Sequence, residues 1–402
     1  MKSGWQTKKL GELLQKTETI NPLQSPNTDI DYIDVSSVSN STFTVEATQR
    51  LKGKNAPSRA RRLVKVNDVL FATVRPTLRR IAIVPEHLNN QVCSTGYFVL
   101  RPKEGIDHRF IFYWLFTEDF IGQMELLQKG ASYPAVTDGE VKSQKVSFPP
   151  LPEQQRIVSI LDQAFEAISK ARANAEENLK NARALFDSHL QSVFTQRGEG
   201  WVEKPLSELC DIKHGFAFKS EFFTGEGDYV LLTPGNFYES GGYRDRGDKQ
   251  KYYAGEIPRD YVLNEGDLLV AMTEQAAGLL GSPILVPESG KFLHNQRLGL
   301  VTKKAGLSWI NEFFFYVFNT HGVRKEIHDS ASGVKVRHTS PTKIGEVVVS
   351  FPTSITEQRA IVSTLENLSE ETQRLESLYR QKLEALDVLK QSLLHQAFSG
   401  QL

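Results

Sequence analysis

Two short fragments, Glu140-Val141-Lys142 and Asp211-Ile212-Lys213, place a carboxylate two residues before a lysine. That is the spacing of nuclease sites in which acids hold Mg²⁺ and the lysine supports the attacking nucleophile. Such a site also needs an acid upstream, and no Pro-Asp pair precedes either fragment. Nucleotides and dinucleotides have no obvious cradle, since neither a G-x-x-x-x-G-K-[ST] loop nor a G-x-G-x-x-G turn occurs. The nine histidines are scattered, and Cys93 and Cys210 have no metal-ligand spacing. No catalytic residue, metal ligand or bound cofactor is assigned to the chain.

Arginine carries the clearest chemical signal. Positions 50–80 hold ten basic residues, seven of them Arg, against Asp68 alone. The guanidinium fork matches phosphate and the guanine edge bidentately, so Arg59, Arg61, Arg62, Arg75, Arg79 and Arg80 are candidate DNA contacts. Later in the chain the basic residues are dispersed, and Arg244, Arg246, Arg297 and Arg337 are the corresponding candidates, with Tyr243, Tyr252 and Tyr253 near the first two. The net charge is zero, but it divides into +4 for residues 1–200 and −4 for residues 201–402. Any nucleic acid is therefore held by local basic loops, not by bulk charge.

The elements that must position these residues come in two copies. Trp5 and Lys9-Leu10-Gly11-Glu12-Leu13 return as Trp201 and Pro205-Leu206-Ser207-Glu208-Leu209, a shift of 196. Val146-Ser147-Phe148-Pro149 returns as Val349-Ser350-Phe351-Pro352. Glu153-Gln154 with Ile157-Val158-Ser159 and Leu161 returns as Glu357-Gln358 with Ile361-Val362-Ser363 and Leu365, by which point the shift is 204. Collinear matches at that period describe two copies of a domain-sized module, not a solenoid.

Each module begins with Gly, Pro and short β-branched runs, then passes into a segment free of Gly and Pro with apolar residues three and four apart. The first helical stripe includes Leu161, Ile168 and Leu185; the second includes Leu365, Leu375, Leu386, Leu389 and Leu393. An Ala-rich seam facing a Leu-rich one predicts an antiparallel coiled coil. The expected fold is α+β, with two similar globular domains joined by two long helices in a pseudo-twofold arrangement. The expected boundaries are 1–151 and 198–355 for the globular domains, and 152–197 and 356–402 for the helices. Pro152 suits the start of the first helix, and Thr356 is the expected N-cap of the second. The composition, 40% hydrophobic and 24% charged, is that of globular domains and excludes a disordered tail. The apolar run Phe313 to Phe318 is too short for a membrane span. A cytoplasmic protein without a membrane partner is expected.

The repeated helix start, Phe148-Pro149-Pro150-Leu151-Pro152-Glu153-Gln154-Gln155-Arg156-Ile157, with a Trp at each module start and Gly266-Asp267-Leu268-Leu269, resembles the specificity subunit of type I restriction-modification enzymes along the whole chain. The second copy, Phe351-Pro352-Thr353-Ser354-Ile355-Thr356-Glu357-Gln358, departs by lacking the second Pro and the Leu-Pro pair. The resemblance implies target recognition domains alternating with spacer helices and reading an asymmetric, bipartite sequence in double-stranded DNA. It also implies two modification (methyltransferase) subunits that use S-adenosylmethionine, and restriction subunits that use ATP and Mg²⁺. The chain itself would be non-enzymatic. The competing classes are a coiled-coil adaptor that binds only proteins, and a divergent metal-dependent nuclease built on Glu140 or Asp211.

Overall fold

The computed structural model describes residues 4–274 and 278–402. Met1 to Ser3, with which the first expected domain opens, lie outside the described residues, as do Gln275 to Ala277 in the second. Packing divides the chain into two units, Met1–Glu177 with Arg380–Leu402, and Asn178–Tyr379. This division does not follow the expected boundaries. Both long helices, Leu151–Gln196 and Ile355–Ser399, contribute to both units, because neither buries its apolar stripe without the other.

In the first unit, strand Gln6–Lys9 pairs antiparallel with Lys145–Phe148, which ties the module's beginning to the strand that feeds the first long helix. A four-stranded sheet orders Gln49–Lys52, Asp29–Ile33, Val92–Ser94 and Ala60–Leu63, its central pair parallel. A three-stranded antiparallel sheet places Val69–Ala72 between Ile81–Ile83 and Tyr97–Leu100. Helices His108–Trp114 and Glu118–Leu127 cover it, capped by Asp107 and Thr117. Val69, Phe71, Phe98, Phe110 and Trp114 share one core with Ile157, Leu161, Leu394 and Ala397 of the long helices. The helices run antiparallel here: Arg172 pairs with Asp387 at 2.8 Å, while Arg156 donates to the Leu402 carbonyl at 2.8 Å.

The second unit repeats this plan. Trp201–Pro205 pairs with Val348–Pro352, and Leu268–Ala271 lies between Leu298–Lys303 and Pro283–Leu285. Val230–Leu231 runs parallel to Phe292–Leu293. Helix Asn311–Phe318 packs its Phe313 against Phe194 of the first long helix at 5.4 Å between ring centroids. Phe110 and Phe398 make the matching contact in the first unit at 4.9 Å. Arg183 and Glu376 pair across the two long helices at 3.0 Å.

The repeated Glu-Gln pair has a structural cause. Gln154 is fully buried and donates to the carbonyls of Gly105 and Pro149 at 3.1 and 2.9 Å, while its Oε1 accepts from the Asp107 N–H at 2.9 Å. Gln358, equally buried, donates to Ser308 and Pro352 at 3.1 and 2.9 Å. One amide thus satisfies carbonyls that the chain exposes where it turns from sheet into helix.

Two expectations for the long helices need correction. Thr356 is not the N-cap: the helix starts at Ile355, and Ser354 Oγ accepts from the Glu357 N–H at 3.3 Å. Leu185 is 58% exposed and Leu389 is 46% exposed. The less exposed stripe alternates steps of four and three, through Leu161, Phe165, Ile168, Arg172, Ala175, Leu179, Ala182 and Phe186 and through Leu365, Thr372, Tyr379 and Leu386 to Lys390, so Leu185 and Leu389 each fall one residue short of it. Leu161 and Leu365 are fully buried; Ile168, Leu375, Leu386 and Leu393 are half-buried. Lys390 lies 5.0 and 5.2 Å from the rings of Phe43 and Phe165. Burial lowers its pKa. Among the described residues no helix is long and apolar enough to cross a membrane.

Candidate nucleic-acid interface

The structure separates arginines that hold the fold from those left to solvent. In the first unit, Arg62 grips Asp138 with both terminal nitrogens at 2.8 and 3.2 Å. Arg80 donates to the backbone carbonyl of Val38 at 2.5 Å and those of Val35 and Ser36 at 3.4 Å. These two are structural fasteners with much of their donor capacity used. Arg61 donates to the Ala60 carbonyl at 3.0 Å and borders a polar cleft with Asn21, Asp29 and Asn90. The side chains of Arg59 and Arg79 make no hydrogen bond or ion pair among the described residues, and Arg59 is exposed.

Arg75 is held in a particular way. It and Arg79 flank the single turn Pro76–Leu78, both with left-handed backbone, at φ 50° and 52°. Its N–H donates to the Pro134 carbonyl at 2.7 Å, and Val74 bridges Ala135, so loop 73–80 is laced to loop 129–135. The Arg75 guanidinium lies 5.1 Å from the Tyr133 ring and donates to the Ser132 carbonyl at 3.3 Å. Tyr133 is 72% exposed. A left-handed conformation at a bulky residue is uncommon and, where the surroundings enforce it, marks a functional loop more often than a structural one.

In the second unit Arg337 is occupied: it donates to the His328 carbonyl at 2.6 Å and stands against the His328 ring, whose Nε2 is 3.7 Å from the buried Glu274. Arg246 lies across Gly235, its terminal nitrogen 3.0 Å from where a Cβ would stand. Arg244 and Arg297 are exposed, Arg244 lying 5.9 Å from the ring of Tyr238. Of the tyrosines noted in the sequence, Tyr253 is buried and Tyr243 packs on Phe292 at 5.3 Å. The exposed aromatics beside arginine are Tyr133 and Tyr238, both missed by sequence reasoning. Their one local signal is position in polar, glycine-bearing loops, Gly130 to Pro134 and Tyr238 to Gly242.

Neither acid-x-Lys fragment assembles a metal centre. Glu140 closes a capping box, accepting from the N–H and hydroxyl of Thr137 at 2.7 and 2.9 Å; the Thr137 N–H is the main cause holding its carboxyl below the usual range. Asp211 stands exposed on strand Cys210–His214, 3.7 Å from Lys304. Among the described residues no cluster of three His, Cys, Asp or Glu is placed to hold a metal ion. Cys93 and Cys210 are buried, and desolvation pushes both thiols up to about 12.

The family model of the type I restriction modification DNA specificity domain matches residues 2–178 and again 198–385, each match taking in the Trp at the module's start, its first strand and part of a long helix. The chain belongs to this family. Among specificity subunits, it is 25% identical to the type I restriction enzyme EcoBI specificity subunit of Escherichia coli over 236 residues, 58% of this chain and 44% of that one. It therefore spans less than half the length of that relative. It is 25% identical to the StySPI specificity subunit of Salmonella potsdam over 329 residues, 77% of this chain and 69% of that one. Two solved structures cover the whole chain at 27% identity. One, described as the basis of complex assembly and conformational transition of the type I R-M system, aligns over 99% of its own length with a TM-score of 0.85. The HsdS subunit from Thermoanaerobacter tengcongensis aligns over 98% with a TM-score of 0.69. Within the specificity-subunit plan, the buried Gln154 and Gln358 are joints, and the two exposed arginine-bearing loop sets are where the modules differ.

Proposed function

We propose that this chain is the non-catalytic DNA-recognition subunit of a type I restriction-modification complex. Each globular module reads one half of an asymmetric, bipartite target in double-stranded DNA. The paired helices set the number of unread base pairs between the halves and dock two methyltransferase subunits. Restriction subunits complete the assembly, and S-adenosylmethionine, ATP and Mg²⁺ belong to those partners. The observation that carries this reading is duplication with divergence: one backbone plan occurs twice, yet the loops present different exposed side chains. Identical modules would read an inverted repeat, and diverged ones read two different half-sites. Lys and Arg contacts to phosphate supply salt-dependent affinity, and loop side chains supply sequence discrimination.

Sequencing the methylated sites of cells that carry the chain with its cognate partners tests this directly. The expected motif has two unlike halves separated by a fixed gap. Methylation or cleavage by the rigorously partner-free chain would overturn the non-catalytic assignment. Inserting four residues in each long helix, about 6 Å, should alter the permitted gap by no more than ~2 base pairs at ~3.4 Å each. An unchanged gap would show that the helices do not set the spacing.

A further inference from the structure

The two units differ most sharply at one equivalent backbone position. In the first, the residue after Val74, which bridges Ala135, is Arg75, whose N–H bonds to Pro134. In the second, the residue after Thr273, which pairs with His338, is Glu274, paired with Arg337. The loops they meet are built alike, each turning at a left-handed glycine, Gly130 at φ 105° and Gly333 at φ 100°. Yet Glu274 is buried, its Oε2 accepting from the N–H groups of Gly278, Leu279 and Leu280 at 2.9–3.0 Å, while Arg75 faces solvent on an exposed tyrosine. Among the described residues Arg75 pairs with no carboxylate.

We propose that Arg75, stacked on Tyr133, is a guanine-reading side chain of the first module, and that Arg79 across the same turn is a phosphate contact. This rests on the recognition reading above and assigns chemistry within it. The left-handed backbone and the lacing to loop 129–135 fix where the Arg75 side chain departs. The Tyr133 face and the Ser132 carbonyl hold the guanidinium plane while leaving most of its five N–H donors available. A fork fixed before binding loses little entropy when it meets the N7 and O6 acceptors of guanine in the major groove. Arg79 has the same charge but no stacking partner, which suits a contact to phosphate, where position matters more than plane. The second module buries an acid at the matching position and reads its half-site without this element.

The test uses the chain assembled with its methyltransferase partners. Asn tolerates the left-handed backbone, so Arg75→Asn removes the fork without straining the turn, and Arg75→Lys keeps the charge while losing bidentate geometry. Both should reduce discrimination at one G·C pair of one half-site by about 10- to 100-fold, leaving the other half-site unchanged. Tyr133→Ala should move the same position in the same direction by less, and Tyr133→Phe should retain discrimination. Arg79→Ala should weaken binding alike for all sequences and reduce the slope of log K against log salt by about one. A half-site set with no G·C pair sensitive to either Arg75 variant would overturn the assignment, as would a change of base preference from Arg79→Ala. A wild-type complex that binds no bipartite DNA site would instead remove the recognition reading itself.

Discussion

The first unit places Asp68, 1% exposed, against Arg101, with two bonds of 2.8 Å from Nε and a terminal nitrogen. The second unit keeps the acid, Asp267, in the same turn, but Thr302 occupies the strand position of Arg101 and the carboxylate caps the Asn264 N–H at 2.8 Å. The turn itself is preserved by Asn67 and Gly266, both left-handed at φ 67° and 77°. A second exchange lies on the parallel strand pair, where Cys93 of the first unit corresponds to His294 of the second, both fully buried. Backbone devices are therefore shared, while the buried polar groups are rebuilt separately. The modules carry different buried polar groups on one frame, as the proposed reading of unlike half-sites expects.

Breaking the Asp68–Arg101 pair should have the largest effect. Asp68→Ala leaves Arg101 desolvated with only Glu18 beside it, and should cost the first unit about 3–5 kcal/mol. Asp267→Ala should cost the second unit about 1 kcal/mol, the value of a turn cap. Chemical denaturation of variants that keep as sole tryptophan either the buried Trp114 or the buried Trp309 separates the two. Equal losses would erase the contrast.

Acid should weaken the second unit by somewhat less. Burial holds His294 neutral, its pKa lowered to about 4, with Nε2 2.9 Å from the Leu298 carbonyl and Lys213 and His214 adding repulsion to the charged form. The unfolded chain takes up the proton near 6.5, so stability is flat above that pH and falls by about 3 kcal/mol as pH drops toward about 4. His294→Cys, the residue of the first unit, should abolish the slope. Glu18 behaves oppositely: its bond to Arg101 lowers it to about 2, so its contribution stands above about 4.5 and is lost only as pH falls through about 2. Near pH 4.5 the second unit should melt earlier while the first keeps this support. Matched acid sensitivity of the two tryptophan signals would contradict this.

The smallest effect is expected at an exposed position of the first long helix. Leu185→Lys, at an exposed position, should change stability by less than about 0.5 kcal/mol. Phe186→Ala, one residue on and packed in the core of the second unit, should cost about 3 kcal/mol.

The duplication, the paired helices and the importance of Glu-Gln were legible in the sequence because they recur at a fixed shift and follow a helical period. Which arginines reach solvent was not. Arg62 meets Asp138 and Arg80 meets the Val38 carbonyl across 76 and 42 residues, and these partners appear only when the fold closes. Arg75 looked like its neighbours until its backbone conformation and Tyr133 were seen together. Leu185 misled because it lies three residues after the buried Ala182, where the stripe steps by four to Phe186, and a leucine looks no different in sequence on either side of a seam.

The central claim is that each unit reads its own half of the target. Exchanging residues 198–355 for the second module of another family member, then sequencing methylated sites in cells with the cognate partners, tests it most directly. The account predicts a motif whose first half and gap are retained and whose second half is new. A motif changed in both halves, or in neither, would contradict it.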